Sequence, residues 1–568
     1  MKQSALVGGE GLKENRPVLA IGLDAIETSL MEKWMAQGHL PNLEALRTQG
    51  SYGYLNSKVD YAGKETSFSC TEPLWVMFST GCLPEKTGFW STIKYNQTTY
   101  DIRCDKTESG YDYETIPPFY ALGDDYDVAV FDIPVSALSS RVNGAQILGW
   151  GGHFPFTPSH SHPPDLLPQI VDKHGENPVF HNDHGYWWSD TYRKWLEGAL
   201  EESIDKRVDI CSDLSDGKRW DLFITVFGDL HSAGHDFYHL SQAHPLHRSS
   251  RQKVKEDPLL AAYKRVDRAV GEIVDLAPEE AHVLCFSLHG MASNHQDTLS
   301  MMFLGEVLYR FNFPGKVGFA KGDLSAEPPP MVLSPLKRSW LGEMWRHVHD
   351  DNPVKRFASN WLPAKFQWFS KGDLESPYHL TDNISFIPAL WYRPLWPRMR
   401  AFALPSFSDG HIRINLQGRE AKGIVLPSEY DSLCDEIIEL LYGLRESRTG
   451  RLIVKSVERT RRSPDDEGDR LPDADLVVVW HNVVSDVIEH PEVGRIGPIT
   501  LFRPGGHSPQ GFVMAKGSRC EPGSRLPTGQ AVDLAPTILD LLGAPLPDYL
   551  DGESLLTAEL MSAFVETA

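Results

Sequence analysis

The sequence predicts an α/β fold, a three-layer αβα sandwich built on a mostly parallel sheet. Three observations point to it. Short apolar runs recur along the chain, helical patterns alternate with them, and chemically capable polar residues stand at or just after the ends of the runs. In such folds ligands gather at the carboxyl ends of the strands.

The first run, Val18 to Leu23, suits a strand buried on both faces, and Asp24 follows it. A helical segment is predicted near Ser29 to Gln37. Leu40, Pro41, Asn42 and Leu43 open another that runs through Arg47. Runs at Val128–Phe131, Leu222–Phe227, Val283–Phe286 and Leu476–Trp480 continue the strand series. Helical patterns over Tyr192–Cys211 and Leu259–Asp275 lie between them. Asp229 and His289, like Asp24, sit just past apolar runs. Residues 295–400 lack this alternation. They hold Pro328 to Pro330 and Trp340, Trp345, Trp361, Trp368, Trp391 and Trp396, which predicts an insertion or cap. The organisation read from sequence is therefore a core of residues 1–294 and 401–568 with a cap at 295–400. Within the second core part, Asp409 to Gly418 alternates apolar and polar residues like a half-buried strand.

Composition narrows the function. Over 568 residues there are 55 Lys and Arg against 77 Asp and Glu, a formal net charge of −22. That balance excludes binding along a nucleic-acid polymer or an anionic membrane by charge alone. Seven cysteines without a CxxC pair suit free thiols in a reducing compartment. Met1 to Arg16 lacks a basic region followed by an apolar stretch, and no run approaches a membrane span. These features predict a cytoplasmic protein. Nothing in the sequence specifies an oligomeric state.

There is no GxxxxGK[ST] loop, GxSxG elbow or HExxH helix. What remains is a dispersed set of Asp, His and Thr. His231 and His235 are one helical turn apart, with Asp229 close by, a donor set suited to Zn²⁺ or Mn²⁺. His289 follows the run at 283–286. Gly505 and Gly506 precede His507, a pattern for close backbone approach. Thr71 precedes Pro73 at a helix start, where free N–H groups favour an anion.

In order, these motifs resemble the alkaline phosphatase superfamily, and within it the type I phosphodiesterase and nucleotide pyrophosphatase branch. Asp24 resembles the first metal ligand, and Leu40 to Leu43 the helix after it. Thr71, Glu72, Pro73, Leu74 and Trp75 through Thr80 and Gly81 resemble the nucleophile helix, with Thr71 as nucleophile. His231 and His235 fall at the D-x-x-x-H pair, His289 in the SDHGM element, and His507 at the last ligand. Asp533 to Gly543 with Asp551 and Gly552 resembles the C-terminal signature. The resemblance implies two divalent metal ions, usually zinc with manganese as the alternative. One would use His235, His507 and either His231 or Asp229; the other would use Asp24, His289 and Thr71. It implies a hydrolase of small anionic phosphate esters, a phosphodiesterase or pyrophosphatase working through a phosphothreonine intermediate. A sulfatase, phosphomonoesterase or phosphotransferase on the same scaffold is the alternative, as is a metal-poor homologue without catalysis. Ile412 to Glu420 resembles a bacterial subgroup of the superfamily, in which Arg413 and Arg419 would hold a substrate phosphate or carboxylate.

The sequence departs from the pattern at three places. Leu288 replaces the aspartate of SDHGM and cannot coordinate, so Asn294 is the candidate substitute. His231 stands where an aspartate is usual, with Asp229 two residues earlier. Thr87 precedes Gly88 where many relatives carry histidine.

Overall fold

The computed structural model describes residues 16–103, 110–151, 158–180, 187–242, 244–247, 254–318, 322–331, 354, 388–466, 468 and 470–556. Its centre is an eight-stranded sheet. In chain order the strands are β1 (Val18–Leu23), β2 (Ser51–Asn56), β3 (Gly123–Phe131), β4 (Val142–Leu148), β5 (His160–His162), β6 (Leu222–Phe227), β7 (His282–Ser287) and β8 (Gln510–Lys516). Their spatial order is β2-β8-β7-β1-β6-β3-β4-β5. The run from β7 to β4 is parallel throughout, while β8 and β5 pair antiparallel to their neighbours.

Strand alternation decides the layers. Leu19, Ile21 and Leu23 of β1 face one side. There they pack with α1 (Thr28–Ala36), α2 (Pro41–Gln49), α4 (Asp190–Ser215), α5 (Asp229–Ser241) and α6 (Pro258–Val274). Val18 and Ala20 face the other side. They meet α3 (Thr71–Thr80) and α7 (Leu534–Leu542). Each central strand buries both faces, which is why these runs carry so few polar residues.

Gly22 continues the second face without a side chain. A Cβ there would lie 2.9 Å from the Trp75 ring and 3.1 Å from Val226. The missing side chain admits Trp75, whose Nε1 then donates to Asp24 Oδ1 at 3.2 Å.

A second body packs around its own apolar cluster. It holds an antiparallel sheet ordered Ala401–Leu404, Gly410–Ile414, Leu476–Trp480 and Val454–Arg459, with helices Leu304–Asn312 and Tyr430–Tyr442. Leu476–Trp480 is thus a strand, but not one of the parallel series. Burial on both sides produces the same apolar run in either sheet, so periodicity cannot separate the two. The boundary drawn at 400/401 falls inside this cluster, whose buried residues run from Ile93 through Leu299, Trp391 and Trp396 to Ile499. Trp340, Trp345, Trp361 and Trp368 of the predicted cap lie outside the described residues. Among the described residues, no helix is long and apolar enough to cross a membrane, and the six described cysteines carry free thiols.

Because Gly22 leaves no room for a larger residue, Gly22→Val should destabilise the fold by about 1–3 kcal/mol, the usual cost of overpacking. Denaturant titration reads this as a lower midpoint. An unchanged midpoint would show that Trp75 does not need this vacancy.

Candidate active site

Asp24 ends β1, and Ala25 after it turns the chain at φ +57°, a left-handed conformation uncommon for a residue with a side chain. Thr71 is the first residue of α3. Cys70 holds the N-cap position and supplies no side-chain cap. Thr71 Oγ1 is left to meet His289 Nε2 at 2.9 Å and His507 Nδ1 at 3.4 Å. His289 follows β7, and its Nδ1 lies 3.2 Å from the Gly290 carbonyl. That contact places the proton on Nδ1 and turns the Nε2 lone pair toward Thr71.

His231 and His235 occupy successive turns of α5. His507 comes from the short strand Gly505–Ser508, which pairs antiparallel with Gly290–Ser293 and puts Met291 opposite His507. A Cβ on Gly505 would lie 2.1 Å from the Gly234 carbonyl oxygen, so only glycine lets this strand reach the backbone of α5. The three rings then converge. Nε2 of His231 is 2.7 Å from Nε2 of His235 and 2.8 Å from that of His507, and His235 and His507 are 3.2 Å apart at the same atoms. His235 Nδ1 donates to Gly505 O at 2.8 Å, which leaves its Nε2 as a lone pair. One ring proton serves only one neighbour, so protons cannot satisfy three mutually facing nitrogens; a shared divalent cation can. The three histidines are also the group of described residues whose donor atoms lie within 4.8 Å of one another.

Protonation agrees. Burial, then the neighbouring rings of His289, His231 and His235, hold His507 well below the usual histidine range. Burial lowers His231 against the opposing pull of Asp24. Burial also opposes charge on Asp24, but His231 and His289 overcome it and keep the carboxyl well below the carboxylate range. Asp24 Oδ2 lies 3.3 Å from His231 Nδ1, and Oδ1 lies 3.4 Å from His289 Nε2. His231 and His507, disfavoured as cations, beside an ionised Asp24 form a set of ligands suited to a cation. The residues present therefore fit metal binding.

Several predicted site residues are placed elsewhere. Asp229 stands at the start of α5, where burial raises its carboxyl against the pull of Arg207 and a hydrogen bond from Ser203. It does not join the histidine trio, and His231 does. Leu288 is fully buried in the apolar cluster beneath Trp75 and Phe286. Asn294 does not replace the missing carboxylate. Its Oδ1 accepts from the backbone N–H groups of Gln296 and Asp297, and its Nδ2 donates to Asp297 Oδ2 and Gly505 O.

Arg413 and Arg419 require a correction. Arg419 donates through Nη1 and Nη2 to both oxygens of Asp475 at 2.7 Å, while its Nε meets Glu420. Arg413 donates to Glu420, Gln97 and the Asp473 carbonyl. Both side chains are almost fully buried. Their donors are spent on an internal ion-pair network, not held ready for a substrate. Asp475 also accepts from the Ile414 N–H and the Tyr430 hydroxyl, and despite burial these arginines bring its carboxyl down to about 2.

Sequence reading named Trp75 only as part of the helix motif, without its bond to Asp24, and missed Ser408 and Arg503. Ser408, at φ +71°, puts Oγ 3.5 Å from His507 Nδ1. Arg503 lies four residues before His507, in a run whose glycines drew attention first. Its charge helps to lower both His231 and His507 and opposes the burial that raises Glu72.

The model of the type I phosphodiesterase / nucleotide pyrophosphatase family matches residues 18–397. The chain belongs to this family, the branch of the alkaline phosphatase superfamily that its motifs resemble. His507 lies beyond the matched residues, and the tertiary structure brings it to the family's part of the chain. No curated protein matches the chain. Among solved structures it is similar to phosphonoacetate hydrolase from Sinorhizobium meliloti 1021 in complex with phosphonoformate. That likeness has 13% identity and a TM-score of 0.43, covering 93% of this chain and 96% of that one.

Two predictions follow from the electrostatics. Arg419→Met strands Asp475 as a buried charge, so unfolding should become easier by about 3–5 kcal/mol. A denaturation midpoint equal to that of the unaltered protein would argue against the ion-pair role. The second concerns Asp409, next to Ser408. Burial pushes its carboxyl up from 3.8 to about 7, against a smaller pull from Lys455. The folded state thus holds this proton more tightly than the unfolded chain. The contribution to stability is complete below the unfolded value and is lost as pH rises toward the folded one. The melting-temperature advantage of Asp409→Asn over the unaltered protein should therefore grow from about pH 5 to about pH 8. A constant difference would exclude a raised Asp409.

Proposed function

We propose that this protein is a metal-dependent hydrolase of phosphate esters, of phosphodiesterase or nucleotide pyrophosphatase type, with Thr71 as its nucleophile. The observation that carries this reading is the position of Thr71 Oγ1 at the start of a buried helix, 2.9 Å from a histidine nitrogen and beside the three converging rings.

His231, His235 and His507 would hold one ion; Asp24, His289 and the Thr71 oxygen would hold a second. Bound divalent ions supply Lewis acidity and neutralise charge on the phosphoryl oxygens. The chain's own residues do the rest. The first N–H groups of α3 have no partner within the helix and, with its dipole, favour an anionic phosphoryl group at Thr71. His289 Nε2 faces Oγ1 at 2.9 Å, so ring and hydroxyl would share one ion, whose charge would favour release of the Oγ1 proton to water. Asp24 orients His231 and His289 and is itself oriented by Trp75. Attack by Oγ1 forms the Oγ1–P bond and expels the ester alcohol or phosphate. Water then cleaves the phosphothreonine and regenerates the hydroxyl. Family membership supports this reaction type, and burial of the whole site supports the exclusion of bulk water during it.

Leu288 makes the two ion positions unequal. Three imidazoles furnish the first, whereas the second has one carboxylate, one imidazole and a hydroxyl. One zinc or manganese equivalent should therefore survive dialysis, with a second regained on supplementation, both counted by elemental analysis. A chain that takes up no metal at all would favour the non-catalytic alternative.

Thr71→Ala should reduce hydrolysis of bis-(p-nitrophenyl) phosphate by at least about a thousandfold, as loss of a nucleophile does, while the first metal equivalent is retained. Acid quench and mass spectrometry of the unaltered protein should find phosphate on Thr71. Equal rates for the two proteins would remove Thr71 as nucleophile.

A further inference from the structure

Among the described residues, several buried arginines spend most of their donors internally. Arg413 and Arg419 are locked to Glu420 and Asp475, and Arg461 donates to the Ala474 and Pro472 carbonyls. Arg503 differs. Its Nε donates to Asp297 Oδ2 at 2.6 Å. Its guanidinium lies over the rings of Phe407 and Phe502, 5.4 and 5.6 Å from their centroids. The side chain remains 17% exposed, and neither Nη has a partner among the described residues.

Asp297 ties this arginine to the histidine cluster by two routes. Its Oδ2 also accepts from Asn294 Nδ2 at 2.8 Å, and Asn294 Nδ2 reaches the Gly505 carbonyl, to which His235 Nδ1 donates. Its Oδ1 accepts from the Ser408 N–H at 3.4 Å, and Ser408 Oγ lies 3.5 Å from His507 Nδ1. The guanidinium is thus anchored at one edge, flanked by two aromatic rings, and left with its two Nη groups open. That is the donor arrangement that pairs with two oxygens of one anion. A net charge of −22 gives the surface no general attraction for anions, so a local cation of this kind decides which ones stay.

We propose that Arg503 is the specificity-determining anion contact of this site. It selects ligands and esters that present a pair of anionic oxygens, on a carboxylate or a phosphate, over a singly charged phosphodiester. The inference rests on the hydrolase reading above and names its substrate class. Asp297 acts through Arg503 as a positioning residue.

The test uses the metal-loaded full chain, its Arg503→Met and Arg503→Lys variants, and Asp297→Asn. Inorganic phosphate and malonate, as phosphate and carboxylate probes, are titrated calorimetrically. Hydrolysis of p-nitrophenyl phosphate is compared with that of bis-(p-nitrophenyl) phosphate. Arg503→Met should weaken binding of at least one of the two probes by about 10- to 100-fold, the range for a lost charge-assisted pair. The probe that loses more identifies the anion. Arg503→Lys should recover part of the loss, and Asp297→Asn should fall between the two. The loss in kcat/KM should be at least about tenfold larger for the doubly charged monoester than for the diester. Metal content and melting temperature serve as controls on folding. Unchanged affinity for both probes, or equal losses on the two esters, would overturn the proposal. Anion binding needs no turnover. If no ester is hydrolysed but Arg503→Met still loses phosphate or malonate, the hydrolase reading fails and the anion contact stands.

Discussion

Three imidazole nitrogens facing one another in a dry interior set the terms for the rest of this molecule. Their mutual approach leaves lone pairs without protons to fill them, and a bound cation would turn that cost into binding energy. Two of the rings arrive cheaply, from one turn of a single helix. The third is 272 residues from His235 in sequence and needs a strand laid against the backbone of that helix. Gly505 permits the approach, pairing with Gly290–Ser293 fixes its register, and the sheet beneath holds β7 and β8 side by side.

The same economy governs the residues around Asp24. Gly22 leaves space under Trp75, Trp75 steadies Asp24, and Asp24 orients the two histidines it touches. Leu288 breaks the symmetry between the two groups. It adds to the apolar cluster that packs α3 against the sheet.

Charge is distributed with similar selectivity. The protein is acidic overall, and many of its arginines are consumed by buried carboxylates that would otherwise be costly. Asp475 and Glu420 knit the second body together in this way. Arg503 is not consumed in this way beyond its contact with Asp297, and its two Nη groups have no partner among the described residues.

The parallel strands at 18–23, 222–227 and 282–287 were legible in the sequence because burial on both faces demands near-continuous apolar runs. Asp24, Thr71, His231, His235, His289 and His507 could be named from their types and their places at strand and helix ends, and the structure brings them into one buried cluster. The sequence by itself therefore determined the fold class and the set of groups with chemical potential. Tertiary structure decided what pattern and spacing leave open. It took His231 rather than Asp229 into the trio, because helical phase turns the two residues to different sides. It assigned Leu476–Trp480 to an antiparallel sheet, because an apolar run does not record the direction of its neighbour. It closed Arg413 and Arg419 into ion pairs and left Arg503 open, because a donor's availability depends on partners that are remote in sequence and adjacent only in space.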